Sequence, residues 1–242
     1  MRKILVMALM LSLASIGVTS ADIVSTSFEN DSTGAQYVDT GNALVDHDLV
    51  NNIGQADVDS TNTVGDLGFD ASYVNSRDGV GLTDGDFVGV TDFTGTVGSF
   101  TDGSQGYQIS DVDGLYVLTF DTVDLTSITD PVTVSIDYFL ASTGWESDDS
   151  LRIAVDVDGV ITDLINTNGT DIDDLGIEGT FTNLSTTFAG ASDATLFVEF
   201  DSNSVAEAVF LDNVVFATAV PEPSSIALLG LVGLAGVVRR RK

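Results

Sequence analysis

The sequence predicts an all-β domain of two stacked antiparallel sheets, flanked by an apolar segment at each end of the chain. Short apolar runs rich in β-branched and aromatic residues alternate with clusters of Gly, Asp, Asn and Thr. No segment of the body shows a convincing helical periodicity. No Pro- or Ser-rich linker divides this region. We therefore predict that residues 22–219 form a single domain.

The clearest strand signal lies at 132–140. Apolar residues occupy the even positions from Val132 to Tyr138, and polar residues occupy the odd positions until Phe139. This period of two is typical of a half-buried strand. Runs of similar composition predict further strands at 115–120, 151–157, 195–200 and 208–218. "DVDG" occurs at 111–114 and at 156–159, and the second copy predicts a hairpin turn.

Charge is unevenly distributed along the chain, which has 37 acidic and eight basic residues. Between the terminal segments lie 36 of the acids but only two bases, Arg77 and Arg152, so the body carries a net charge of −34. Such a surface repels nucleic acid and anionic headgroups and collects cations. We expect no nucleic-acid partner. The alternative explanation for most of these acids is a solvated surface suited to salty water.

The residue types leave few enzymatic options. The chain has no Cys and one His, His47, and its body has no Lys. Zinc sets, Schiff-base chemistry and Walker-type phosphate sites are therefore excluded, and a Ser-His-Asp triad has only one candidate base. We predict a turn or surface role for His47 and no enzymatic activity. A carboxylate-dependent glycoside hydrolase is the remaining enzymatic alternative, because two acids suffice for it.

Oxygen-bearing side chains are concentrated around Gly169 in the segment 166–178. Alternate oxygen ligands beside a flexible Gly suit a hard cation such as calcium. The EF-hand spacing is not met, because Leu164 and Leu175 stand where carboxylates are required. We predict a looser calcium-like loop, with a plain polar loop as the alternative. Its candidate ligands are Asn166, Asn168, Asp171 and Asp173.

Trp145, the only Trp, lies in the polar stretch 142–150 between two predicted strands. A Trp in such a loop can stack on a sugar face, which makes it a candidate ligand-binding residue. The alternative is a ring that folds over the sheet edge and covers apolar side chains.

The two ends of the body resemble those of jelly-roll carbohydrate-binding modules and their relatives. The resemblance rests on an opening strand that carries "SFEN" (27–30) and a closing strand that carries "FLDNVVF" (210–216). It implies a jelly-roll-like sandwich whose first and last strands lie near each other, with Glu29 and Asp212 as ligands of a structural calcium. The alternative is that both are ordinary surface acids on edge strands.

The N-terminal segment 1–21 has the three parts of a secretory signal peptide. Arg2 and Lys3 precede an apolar run, and Thr19-Ser20-Ala21 supplies the small residues at which signal peptidase cuts. The sequence therefore predicts export.

The C-terminal segment 220–242 closely resembles the PEP-CTERM sorting signal. Its three parts stand in the order of that signal: Pro221-Glu222-Pro223, the apolar run 226–238, and the basic cluster Arg239, Arg240, Arg241 and Lys242. Thirteen apolar residues make a helix of roughly 20 Å, shorter than the ~30 Å hydrocarbon core, and the bases are expected to stay cytoplasmic. The resemblance implies a Gram-negative bacterium and an exosortase, an integral-membrane cysteine protease that processes the protein at the inner membrane. A plain transmembrane tail anchor is the alternative.

The sequence therefore predicts an exported, exosortase-sorted, non-catalytic protein of the cell surface or extracellular matrix with a calcium-supported sandwich. An extracellular carbohydrate-binding module, with polysaccharide as its partner, is the alternative. A concave sheet face lined with aromatic residues would favour that alternative, and a cleft with two paired acids would favour a hydrolase.

Overall fold

The structure is a computed structural model that describes residues 19–34, 36–61, 65–77, 79–82 and 86–220, with only the backbone at 19, 20, 219 and 220. One compact unit covers Asp22–Thr218. Most of the predicted signal peptide lies outside the described residues, as do Pro221-Glu222-Pro223, the apolar run 226–238 and the terminal basic cluster. In the described part of the chain, no helix is long and apolar enough to span a bilayer.

The described residues form thirteen strands and one short 3-10 turn, Ile172–Asp174. The strands are β1 (Thr19–Thr26), β2 (His47–Asp48), β3 (Phe69–Val74), β4 (Gly89–Thr91), β5 (Gly106–Ser110), β6 (Gly114–Phe120), β7 (Val123–Asp124), β8 (Val132–Leu140), β9 (Ser150–Val157), β10 (Val160–Asn166), β11 (Thr182–Phe188), β12 (Asp193–Ser202) and β13 (Ala208–Val220).

Two sheets make up the domain, as the sequence predicts. The first sheet has the order β11-β8-β13-β5-β4, with β1 also paired to β13. The second sheet has the order β10-β9-β12-β6-β3-β2, with β7 paired to β12. Apolar side chains of both sheets form one core, in which the hydroxyl groups of Tyr107 and Tyr116 lie 2.6 Å apart. Because these buried hydroxyls hydrogen-bond each other, their burial carries a smaller cost.

The five strands predicted from composition and alternation are all present, and the strand at 132–140 has the predicted bounds. The predicted hairpin joins β9 to β10. Asp158 and Gly159 at its tip have φ values of 51° and 81°. Both residues of a tight type I′ turn need a positive φ, which explains the Asp-Gly pair.

The first strand differs from the sequence-based expectation. "SFEN" was expected within it, but β1 ends at Thr26, and Phe28 lies in the following turn with a φ of 61°. The buried Phe28 ring packs against Phe69 and Tyr107, and this contact holds the backbone in an unfavourable region. The cleavage point predicted after Ala21 falls inside β1.

The outer face of the first sheet carries a second, smaller apolar cluster. Side chains alternate along β8, so Phe139 and Ala141 point away from the main core. Phe210 lies beside them, and the long segment 92–105 between β4 and β5 contributes Phe100. This segment therefore covers part of a sheet face that would otherwise be exposed to solvent.

Candidate functional site

An open groove of about 910 Å³ lies where the 92–105 segment crosses the outer face of the first sheet. Gln108, Ala141 and Ala208 line it from the strands and strand ends, and Val205 and Ala206 line it from the turn between β12 and β13. Its remaining lining residues are Thr33, Gly34, Phe87, Thr91, Asp92, Phe93, Thr94, Gly95 and Thr96. The volume lies within the range of about 300 to 1,000 Å³ that is usual for ligand sites.

Two aromatic residues line this groove, the half-buried Phe87 and the more exposed Phe93. The Phe93 side chain is 52% exposed, although it is a large apolar group. A Cβ atom at Gly95 would lie 2.5 Å from the Phe93 ring, so the ring packs closely over the glycine backbone. One part of the ring is thus supported by protein while the exposed part remains available for a flat apolar ligand face.

The groove is nearly free of charge. Asp92 is the one ionisable residue among its described lining residues, which otherwise bear hydroxyl, amide or apolar groups. The body around it carries a net charge of −34. A ligand in this groove would therefore meet hydrogen-bonding groups and an aromatic ring in a negative field.

Asp212, a predicted calcium ligand, holds the start of the segment 101–105, here called the anchored loop. The carboxylate is fully buried, and its Oδ2 accepts hydrogen bonds from the Thr101 N–H at 2.6 Å, the Thr101 hydroxyl at 2.9 Å and the Asp102 N–H at 2.8 Å. Its Oδ1 accepts from the Asn213 N–H at 2.7 Å. Burial raises the pKa of Asp212, even though these hydrogen bonds favour the charged form.

Glu29, the other predicted ligand, holds the end of the same loop. Its carboxylate accepts hydrogen bonds from the N–H groups of Ser104 and Gln105, both at 2.6 Å, and from the Ser104 hydroxyl at 3.1 Å. Desolvation opposes the charge, but these three bonds outweigh it and lower the pKa of Glu29. Gly103 has a φ of 71°, and a Cβ there would collide with Glu29 Oε1, so this loop requires glycine.

Asp137 lies beside Asp212, because the two residues are paired across β8 and β13. The Thr101 hydroxyl contacts Oδ2 of both carboxylates, although it has one proton to donate. Calcium takes six to eight oxygen ligands. Asp212 and Glu29 hold the two ends of the anchored loop, and their oxygens already accept seven hydrogen bonds from protein. Calcium at this position stays a prediction.

The predicted calcium-like loop is closed by hydrogen bonds of its own. Asn166 Oδ1 accepts from the Asn168 N–H at 3.0 Å, and Asp171 Oδ1 accepts from the Asp173 N–H at 3.0 Å. Asp171 thereby caps the 3-10 turn. These short-range contacts are those of Asx turns and a cap. Among the described residues, the acids of this loop do not form a group of three with oxygens within 4.8 Å of one another. Calcium in this loop stays a prediction.

Trp145 lies in the core instead of on the surface, with 5% of its area exposed. Its ring packs edge-on against Phe200, with the ring centroids 6.0 Å apart. The indole N–H donates to Glu178 Oε1 at 2.9 Å and to the Ala141 carbonyl at 3.2 Å. In this position the ring does not offer a face to a ligand, and it covers apolar side chains.

His47 fixes the loop that precedes β3. Its Nε2 lies 2.7 Å from Asp39 Oδ2 and its Nδ1 lies 2.7 Å from the Val45 carbonyl. Both partners are acceptors, so only the doubly protonated ring satisfies both contacts. Desolvation lowers the pKa of His47, but these hydrogen bonds and the charges of Asp39 and Asp48 outweigh it and raise the pKa.

Sequence reasoning missed one group of acids, which we call the carboxyl cluster: Glu146, Asp149 and Glu207. Oxygens of the three side chains all lie within 4.8 Å of one another, and Asp149 and Glu207 are buried. Arg77 donates to Asp149 Oδ1 at 2.9 Å. Burial, the hydrogen bond with Glu146 and the charges of Asp149 and Glu146 raise the pKa of Glu207 to about 8. Glu207 is distant in sequence from Glu146 and Asp149, which explains why no local motif indicated the cluster.

Comparison with known proteins identifies the C-terminal segment. Residues 219–242 match the PEP-CTERM protein-sorting motif. The motif marks an exported protein with a C-terminal sorting signal, and it confirms the resemblance seen in the sequence. A comparison with curated proteins gave no match.

Among solved structures, the chain resembles the CBM22-1 xylan-binding domain of Xyn10C from Paenibacillus barcinonensis. The identity is 16%, the TM-score is 0.33, and the likeness covers 78% of this chain and 99% of that domain. The K2 cleaved adhesin domain of Lys-gingipain is 13% identical with a TM-score of 0.37, covering 61% of this chain and 87% of that one. These values are too low to assign a ligand or an activity.

Proposed function

We propose that this protein is an exported, non-catalytic protein of the cell surface or extracellular matrix that binds a neutral polysaccharide in the groove. The observation that carries the proposal is the nearly uncharged groove in a body of net charge −34. A polyanionic chain would be repelled by this field, whereas a neutral chain would not. The groove offers hydroxyl and amide groups for sugar hydroxyls and the exposed Phe93 ring for a sugar face.

The acids of the groove support a binding role over hydrolysis. A glycoside hydrolase of the usual kind needs two carboxyl groups on either side of the scissile bond. Asp92 is the single carboxylate among the described residues that line the groove. The carboxyl cluster is mostly buried, and Asp149 and Glu207 do not line the groove.

Sorting follows from the C-terminal motif. In this proposal signal peptidase removes the N-terminal segment, the C-terminal helix holds the chain in the inner membrane, and exosortase processes the tail. The acidic body then lies outside the membrane, in agreement with the basic cluster that is expected to stay cytoplasmic.

We also propose calcium as a structural ion near the anchored loop. Glu29 and Asp212 would hold it, and the ion would supply positive charge to the two buried carboxylates, Asp137 and Asp212. Its effect would be to tie the end of β1 to β13 through the loop.

The direct test is binding of the full-length protein, in mild detergent, to immobilised polysaccharides. The set pairs neutral chains with uronic-acid chains, at low and at physiological salt and with and without calcium. We expect binding to at least one neutral chain and to no uronic-acid chain, with little dependence on salt. Binding restricted to uronic-acid chains, or cleavage of any chain by the protein, would contradict the proposal.

A further inference from the structure

Three loops meet at the carboxyl cluster, at the end of the sandwich next to the groove. Arg77 follows β3, Glu146 and Asp149 lie between β8 and β9, and Glu207 lies between β12 and β13. Arg77 donates to Asp148 and Asp201 as well as to Asp149. One guanidinium therefore pairs with three carboxyl groups, those of Asp148, Asp149 and Asp201, and the carboxyl groups of Glu146 and Glu207 lie beside Asp149.

Carboxyl oxygens of Glu207 and Glu146 lie within 4.8 Å of each other. Two ionised carboxylates at this separation repel each other, and neither can donate a hydrogen bond, so a stable contact between them requires that one of the two groups holds a proton. Arg77 does not remove this requirement, because the guanidinium donates to Asp149 and not to either Glu. Glu207 is 2% exposed, so water cannot easily replace the shared proton as a partner.

The backbone around Glu207 forms part of the groove. Ala206 and Ala208, its two neighbours, line the groove together with Val205. The turn is closed by the Glu207 N–H, which donates to the Ser204 carbonyl at 3.0 Å. The Asn203 N–H also lies 3.4 Å from Glu207 Oε2. A change in the protonation state of the Glu207 carboxyl group would therefore act directly on the wall of the groove that Val205, Ala206 and Ala208 form.

We propose that Glu207 and Glu146 share one proton and form a pH-sensitive latch that holds the 203–207 turn, and with it one wall of the groove, in place. Loss of the proton leaves two adjacent carboxylates that repel each other, and the turn moves away from the 141–149 loop. The effect of the latch on polysaccharide binding rests on the proposed function, whereas the latch itself does not.

Trp145 provides the readout, since it is the only Trp in the chain, is buried, and precedes Glu146. Its fluorescence is followed in the full-length protein, in EDTA, from about pH 7 to 9.5. We expect a transition in the wild type that is lost in Glu207→Gln, because the amide can donate to Glu146 and does not titrate. A second variant, Glu146→Gln, should also lose the fluorescence transition. Glu199→Gln is the matched control: Glu199 pairs with Arg152 and is not part of the carboxyl cluster, so this variant should retain the transition.

Two outcomes overturn the latch: no transition in the wild type, or an unchanged transition in the folded Glu207→Gln and Glu146→Gln variants. Polysaccharide binding is then measured below and above the transition, and we expect wild-type binding to weaken and Glu207→Gln binding to stay constant. A transition that depends on Glu207 without binding at any pH supports the latch and removes the proposed function. Binding that is equal at both pH values, with no transition, supports the proposed function and removes the latch.

Discussion

Replacing Asp212 by Ala should destabilise the protein through loss of the anchored loop. The carboxylate accepts four hydrogen bonds, three from Thr101 and Asp102 and one from Asn213. At a net value of about 1 kcal/mol each, these sum to about 4 kcal/mol. Part of this is returned, because the substitution also removes a buried charge whose desolvation raises its pKa. We expect a loss of about 2 to 4 kcal/mol in the free energy of unfolding.

Asp212→Asn keeps the volume of the side chain and changes only its hydrogen bonds. The amide keeps one acceptor oxygen, but its NH2 group must then face an N–H donor, so we expect a smaller loss of about 1 to 2 kcal/mol. Asp102→Ala is the matched control in the same loop, since its side chain is exposed while its N–H group is kept.

Urea unfolding of the full-length protein in detergent, followed by Trp145 fluorescence, measures these differences. For a domain of this size, the loss in Asp212→Ala corresponds to a Tm lower by roughly 4 to 16 °C. A loss below about 1 kcal/mol, or equal losses in Asp212→Ala and Asp102→Ala, would refute the role given to this carboxylate.

Three further predictions concern the ion, the histidine and the tail. Calcium at 100 times its dissociation constant should stabilise the folded protein by about 2.7 kcal/mol relative to the ion-free protein. At equal concentration calcium should raise Tm more than magnesium, and Asp212→Ala should erase this excess; equal shifts would remove the calcium site. Because folding raises the pKa of His47, the protonated ring adds to the free energy of unfolding fully below about pH 6.5, and this contribution is lost as pH rises through the folded-state pKa. His47→Gln should lack this decline in stability yet bind ligand normally. The same dependence of stability on pH in both proteins would contradict the role given to His47. Alanines at Pro221-Glu222-Pro223 should leave the protein in the inner membrane with its tail uncut; normal release of this variant would contradict exosortase sorting.

Strands with clear alternation or composition could be predicted from the sequence, and shorter ones could not. β8 was predicted with its bounds because one face meets the core and the other is largely polar. The edge strand β10 is mostly exposed, and the sequence indicates it only as the second arm of the hairpin that follows β9. β4 is fully buried and three residues long, which is too short to show an alternation, and its position depends on its pairing with β5.

The groove could not be predicted, because it arises where a long loop returns over the outer face of a sheet. One signal was available in the sequence. Phe139 is apolar at a position of β8 where the alternation predicts a polar residue, which indicates that another segment covers the outer face of this sheet. For Trp145, the sequence left two alternatives open. The structure shows the buried one, in which the Ala141 carbonyl and Glu178 satisfy the indole N–H.

The calcium ligands and the carboxyl cluster show a second limit. Glu29 and Asp212 were connected through a resemblance, and the structure adds the loop that both of them hold. Glu146 and Glu207 meet only because loops from different parts of the chain converge at one end of the sandwich. In a chain with 37 acids, no pattern distinguishes such residues from solvated ones.

Calorimetric titration of the neutral polysaccharide selected by the binding test, against the wild type and Phe93→Ala, tests the central claim most directly. Because the Phe93 side chain is 52% exposed, its burial by a ligand is expected to contribute about half the value for a fully exposed ring, or about 0.8 to 1.5 kcal/mol, so Phe93→Ala should bind about four- to thirteenfold more weakly. Gly95→Ala should also weaken binding, because its Cβ would displace the ring. Ile53→Ala, which removes an exposed apolar side chain outside the groove, should bind like the wild type. Equal affinities for the wild type, Phe93→Ala and Gly95→Ala would contradict polysaccharide binding in this groove.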